Sequence, residues 1–150
     1  IASCYQTTGR MEEALPLRRR VYEYMTASGQ PAFPRMVAAG NLIVNLVGCG
    51  HISEARSLAR DLIPEARRAL GDEHDITLDL QRKYARILCD SDTGELHEVD
   101  ILVAQRILEK NIRTCRRIYG RAHPNTKDGE EALERVHSIL DELSDREEDV

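Results

Sequence analysis

An all-α fold built from repeated pairs of helices is predicted by two recurring segments and one periodicity. The segment at residues 9–14, glycine first and Glu-Ala last, returns at residues 50–55 and, with more changes, at residues 94–99. A second segment, residues 70–77, is echoed at residues 119–126. Repetition at intervals of roughly 20–50 residues is typical of arrays of helical units, none of which buries its apolar face alone. Between these segments, apolar residues recur at the i, i+3, i+4, i+7 spacing of amphipathic helices.

The first predicted pair consists of residues 1–8, which form the end of a helix, and residues 11–28, which form its partner. Gly9 falls between them, where a glycine can turn the chain with a positive φ at no steric cost. Ala14, like Ala55 in the next pair, is small enough to let two helices approach closely.

The second predicted pair comprises residues 33–48 and 52–70, with Gly50 in the turn between them. Pro31 and Pro34 stand where its first helix begins, as proline does at helix starts. Three leucines are expected in the core between the two helices: Leu46, Leu58 and Leu62. Pro64 lies inside the second helical pattern, so a kink or a local opening is predicted there.

The third predicted pair comprises residues 75–91 and 95–119, and its turn at residues 89–94 is longer than the corresponding turn before it. Residues 124–143 form a last helix that caps the array, with Pro124 near its first position. The helical repeat domain is thus predicted to span residues 1–143. The acidic residues 144–150 lack periodicity and are predicted to be a flexible, solvated tail.

Composition excludes several classes of function. Charged residues make up 31% of the chain and the net charge is −5, which gives no general attraction to nucleic acid. The arginine runs at residues 18–20, 67–68 and 116–117 alternate with acids and do not form a continuous basic stripe. No apolar run reaches the ~20 residues of a membrane span. We therefore expect neither a nucleic-acid nor a membrane partner.

The four cysteines fit no metal or disulfide framework, because none belongs to a Cys-x-x-Cys motif. They are expected to be small buried residues of a protein in a reducing, cytoplasmic compartment. His74 and His123 recur with the second segment, so a shared structural role in the turn is expected. No nucleophile with a base, phosphate-binding loop or metal-ligand set is identified, so neither an enzyme, a cofactor nor a small-molecule substrate is expected.

The repeated segments resemble tetratricopeptide repeats. The first copy has a small residue, an aromatic three positions later, a turn glycine and a Glu-Ala pair: Ala2, Tyr5, Gly9, Glu13 and Ala14. A second copy runs from Asn41 to Ala55, and a weaker third precedes Gly94. The spacer at residues 120–126, and at 71–77 with Asp75 in place of proline, is similar to that of the kinesin light chain-like subfamily. The resemblance covers nearly the whole chain and implies a right-handed superhelical stack of about three antiparallel helix pairs with a C-terminal capping helix.

The resemblance also implies a function, which is the binding of a partner protein in a concave groove lined by the first helix of each pair. Asn41 occupies the position at which similar proteins hold the backbone of an extended peptide. The expected groove residues are Asn41, Val44, Asn45, Arg82, Lys83 and Arg86. The last three form a cationic cluster suited to an acidic peptide, since arginine pairs with carboxylates through two hydrogen bonds. Alternatively, these three residues belong to a solvent-exposed helix face whose positive charge is balanced by nearby acidic residues.

A structural or assembly role is the alternative function. In that case the convex face, or the long helix 95–119, contacts a neighbouring domain or subunit. An exposed apolar stripe on helix 95–119 would favour this role, whereas a polar groove surface would favour peptide binding.

Overall fold

The described residues fold mainly into α-helices. The computed structural model describes residues 2–90 and 96–148, with side chains described for 9–90 and 96–146. The described part contains six helices and no strand: α1 (Ala2–Ala27), α2 (Ala32–Gly48), α3 (Ile52–Leu70), α4 (Asp75–Leu88), α5 (Glu98–Tyr119) and α6 (Pro124–Glu148). The predicted all-α class is therefore confirmed.

The chain forms two compact units, Ile1–Leu80 and Gln81–Val150, and the boundary falls inside α4. In unit 1, α2 packs against α1 and against α3. In unit 2, α5 packs against α6. None of the helices in the described residues is both long and apolar enough to cross a lipid bilayer.

The core of unit 1 centres on α2, which buries large side chains such as Met36, Ile43 and Leu46. The facing side of α3 is lined by alanines 55, 59 and 66, all fully buried, which let the two helices approach closely. Leu46 and Leu62 are buried as predicted, but Leu58 is only half-buried. Leu58 lies at the flank of the α3 stripe, about one quarter-turn from the buried alanines at 3.6 residues per turn.

Gly9 does not turn the chain, and the predicted separation of residues 1–8 from 11–28 is wrong. α1 is one helix that runs through both Gly9 and Pro16. A glycine inside a helix costs only about 1 kcal/mol relative to alanine. Contacts between α2 and Met11, in the helical turn after Gly9, offset that cost. The Asn45 side-chain amide donates to the Met11 carbonyl at 3.0 Å. The Met11 sulfur lies against Gly48, where a Cβ atom on residue 48 would overlap the sulfur.

Other helix limits differ from the predicted ones by a few residues. α4 ends at Leu88 and α5 begins at Glu98, and most of the predicted long turn (residues 91–95, with Gly94) lies outside the described residues. α3 continues through Pro64, whose ring is exposed. α6 extends to Glu148, five residues beyond its predicted end, and the flexibility of the acidic terminus stays a prediction.

The two copies of the second segment form the same joint between helices. Gly71 (φ 101°, ψ 159°) and Gly120 (φ 88°, ψ 171°) adopt backbone angles that are essentially restricted to glycine. Three residues later, the Nδ1 atoms of His74 and His123 accept hydrogen bonds of 3.2 Å from the amides of Ile76 and Asn125.

Each histidine therefore caps the helix that follows it, satisfying one of the backbone amides that a helix start leaves without a partner. An aromatic ring supports each imidazole: Phe33 packs edge-on against His74, and Tyr119 stacks on His123. The predicted structural role of these histidines is confirmed, as is the position of Pro124 at the first residue of α6.

The threonine that ends each joint gives a matched test of its hydrogen bonding. The Thr126 hydroxyl donates to the Gly120 carbonyl at 2.8 Å, whereas the equally buried Thr77 hydroxyl has no partner among the described residues. Thr126→Val should lower the free energy of unfolding by about 1 kcal/mol, because a hydrogen bond is lost. Thr77→Val should be neutral or stabilising. Urea denaturation followed by circular dichroism measures both, and equal losses would contradict this assignment.

Candidate functional site

The predicted cationic cluster lies in unit 2, and its first arginine is inside the unit. Arg82 is 3% exposed. Its Nε donates to Asp128 Oδ2 at 3.2 Å, and its Nη1 donates to Asn111 Oδ1 at 3.3 Å and approaches Cys115 Sγ at 3.7 Å. The Asn111 amide in turn donates to Gln81 Oε1 at 3.2 Å. One buried network therefore joins α4, α5 and α6.

The prediction that Arg82 faces an open groove is wrong, because the guanidinium is occupied by protein atoms and shielded from solvent. Helical periodicity alone could not show this, since the carboxylate that draws Arg82 inward, Asp128, is 46 residues away in sequence. A buried cation requires hydrogen-bond partners of this kind.

The other two members of the cluster are more accessible. The Arg86 side chain is 46% exposed and pairs with Asp128 through both the carboxylate and, at 3.1 Å, the backbone carbonyl. Lys83 is half-buried. Two arginines thus share the Asp128 carboxylate.

The three predicted groove residues of α2 lie in unit 1 and have different surroundings. Asn45 is 7% exposed and its amide holds the Met11 carbonyl, so it serves the packing of α1 on α2. Its predicted place on an accessible groove is therefore wrong. Asn41 and Val44 are exposed, and their binding roles stay predictions.

Asn41 borders a cleft between α1 and α2 with a volume of about 620 Å³. We call this the apolar cleft, and its principal lining residues are Leu17, Arg18, Val21 and Met25 from α1 with Phe33, Val37 and Asn41 from α2. Four of the apolar side chains are well exposed: Leu17 (63%), Phe33 (51%), Val21 (40%) and Val37 (37%). Apolar surface gathered in this way is costly in water and marks interaction sites.

The apolar cleft was not predicted from the sequence, although a signal for it exists. On α2, Phe33, Val37, Asn41 and Val44 follow helical spacing and form a stripe separate from the buried one. A helix with two apolar faces has more apolar surface than one packing partner covers. The apolar pattern of this second stripe is hard to recognise in the sequence because Asn41 interrupts it.

A second group of exposed apolar side chains lies at the start of α5. Val99 is 71% exposed, Leu102 41% and Val103 39%, within five residues of each other. The spacing places all three on one side of the helix. This is the exposed stripe that would favour the assembly role.

The described cysteines and histidines form no metal-binding cluster. No group of three or more described His, Cys, Asp or Glu side chains is placed to hold a metal ion. Cys49, Cys89 and Cys115 are not paired in disulfides. Burial raises the pKa of Cys89 to about 11, with Asp90 adding to the shift and Arg135 opposing it. A thiol held protonated in this way is a poor nucleophile.

Comparisons with protein families, curated proteins and solved structures found no match to this chain. The resemblance to tetratricopeptide repeats therefore rests on the residues quoted above, and the function has to be argued from the surfaces of the two units.

The buried network predicts unequal effects for its two arginines. Arg82→Met should lower the free energy of unfolding by about 2–3 kcal/mol, because Asn111 and Asp128 lose a charged donor inside the unit. Arg86→Met, at an exposed position, should cost less than about 1 kcal/mol. Urea denaturation measures both, and similar losses would mean that Arg82 is not held as described. Arg82→Lys should not restore stability, since an ammonium cannot reach several partners as a guanidinium does.

The raised pKa of Cys89 predicts slow alkylation. With a pKa of about 11, only about one thiol in a thousand is ionised at pH 8. We expect iodoacetamide at pH 8 to modify the partly exposed Cys49 before Cys89, and the Cys89 rate to rise with pH well above 9. Mass spectrometry of tryptic peptides measures the rates, with the urea-unfolded chain as control. Faster modification of Cys89 than of Cys49 in the folded chain would contradict the assignment.

Proposed function

We propose that the protein is an interaction module that binds a segment of a partner protein in the apolar cleft of unit 1. The observation that supports this most directly is the exposure of Leu17, Val21, Phe33 and Val37 in one cleft. Binding a partner there would remove this surface from water at a gain of about 25 cal/mol per Å² of apolar area. The proposed function is binding alone, without a cofactor, a nucleic acid or a membrane.

We further propose that the helix pairs belong to kinesin light chain-like tetratricopeptide repeats in a right-handed superhelical stack. The support is local: the spacers at residues 71–77 and 120–126 form one type of joint in both copies. The absence of a disulfide at Cys49, Cys89 and Cys115 supports a reducing, cytoplasmic environment.

Assembly with a neighbouring subunit through α5 is the second candidate function. It is favoured by the exposure of Val99, Leu102 and Val103, because three adjacent apolar side chains in water also indicate a contact surface.

An acidic partner held by Lys83 and Arg86 remains a further part of the proposal. It is now centred on the accessible Arg86 rather than on the buried Arg82.

Capture from a lysate of the protein's own cells tests the two surfaces against each other. Val37→Glu places a charge in the apolar cleft, and Leu102→Glu does the same on α5. Because each position is partly exposed, each variant should stay folded, which circular dichroism checks. We expect Val37→Glu to reduce the recovered partner at least tenfold and Leu102→Glu to leave it unchanged.

The opposite result would favour assembly through α5. A partner recovered equally by wild type and both variants would contradict both proposals.

A further inference from the structure

The apolar cleft has a polar end and an apolar end. α1 and α2 are joined by residues 28–31 and run antiparallel, and the contacts of Met11 with Asn45 and Gly48 fix their register. This register brings Arg18 level with Asn41, far from the turn. It brings Met25 level with Phe33 and Pro34, next to the turn. A ligand in the cleft therefore meets a guanidinium and an amide at one end only.

The cleft offers few partners for the backbone of a ligand. Every peptide N–H and C=O that leaves water must find a hydrogen bond. Among the described lining residues, Asn41 is the one with a side-chain amide, and it is exposed. An extended segment lying along the cleft would present several backbone groups to side chains of leucine, valine and phenylalanine. A helix satisfies its own backbone groups and avoids this cost.

The dimensions of the cleft also fit a helix. The distance from Leu17 to Met25, like that from Phe33 to Asn41, is eight residue steps, or about 12 Å along a helix at 1.5 Å per residue. This length equals about two turns, which present three or four apolar side chains on one face. Shallow apolar channels between two packed helices accept a third helix in this way.

The charge at the polar end selects the chemistry of the ligand. Arg18 is the one charged side chain among the described lining residues, and it is exposed. Its neighbour Arg19 points away and pairs with Glu54 of α3. An arginine at the rim of an apolar surface is satisfied best by a carboxylate.

We propose that the occupant of the apolar cleft is an amphipathic helix of the partner protein with an aspartate or glutamate next to its apolar ridge. The ridge packs over Val21, Phe33 and Val37, and the carboxylate pairs with Arg18 beside Asn41. This inference rests on the proposed function and specifies its ligand.

Selection from a phage-displayed library of random 16-residue peptides tests the inference, with the whole chain as target and Val37→Glu as counter-target. We expect enriched sequences with apolar residues at i, i+4 and i+7 and an acid within one turn of them. A proline placed in the middle of an enriched peptide should weaken binding at least tenfold, because it disrupts the helix.

A charge exchange then tests the role of Arg18. Arg18→Glu should weaken an enriched peptide roughly 2- to 10-fold, the range for exposed charge pairs and their reversal. Replacing the acid of the peptide by lysine should restore binding to Arg18→Glu. Arg20→Glu makes the same charge change at an exposed position on α1 that does not line the cleft, and should change affinity less than twofold.

The failure of this inference differs from the failure of the proposed function. Enriched peptides with alternating apolar residues that tolerate proline would overturn the helix and leave binding in the cleft intact. Enrichment equal on wild type and Val37→Glu would overturn both. No enrichment at all would overturn the helix, and the lysate capture would then decide the proposed function by itself.

Discussion

The guanidinium of Arg82 has to find its hydrogen-bond partners within unit 2, because almost none of it reaches water. Asp128 and Asn111 supply them from two other helices, so α4, α5 and α6 must all be in place before the charge is satisfied. Apolar contacts tolerate small shifts between helices, whereas a directional network with a buried charge does not. The polar network therefore selects one arrangement of the three helices, and the surrounding apolar core stabilises it.

Arg82 and Arg18 show that the same residue type can have different roles in the two units. Arg82 supports helix packing inside unit 2, whereas Arg18 lies on an open surface of unit 1. Arg82 is surrounded by acceptors from its own chain, so little of its charge is left for an external ligand. Arg18 lies at the rim of apolar side chains, where a carboxylate from outside has access to it. The accessible part of the predicted cationic cluster is reduced to Lys83 and Arg86, and Arg86 already shares Asp128.

Much of the fold could be predicted from local sequence, and the limits of that prediction are physical. The spacing of apolar residues gave α2, α3 and α6 to within a few residues at most ends, and Gly50 turns the chain as expected with φ 78°. Gly9 occupies the same place in the repeated segment as Gly50 but is helical. Contacts of the following helical turn with α2, which is distant in sequence, hold that turn in place. Less of the candidate site follows from local sequence. Asn41 is a predicted groove residue and borders the cleft. The apolar walls of the cleft cannot be predicted without knowing which stripe of α2 remains uncovered after α1 and α3 have packed.

The joints at Gly71 and Gly120 are self-contained. In each, the glycine amide bonds the last turn of the preceding helix and the histidine caps the following one, so every backbone bond involved lies within a few residues. A stretch of chain that begins at one such glycine carries the cap of its first helix, and the last turn of its final helix is satisfied when another such glycine follows it. Whole helix pairs can therefore be duplicated or lost between two joints, during the evolution of such a chain, without leaving an uncapped helix at the point of insertion or deletion.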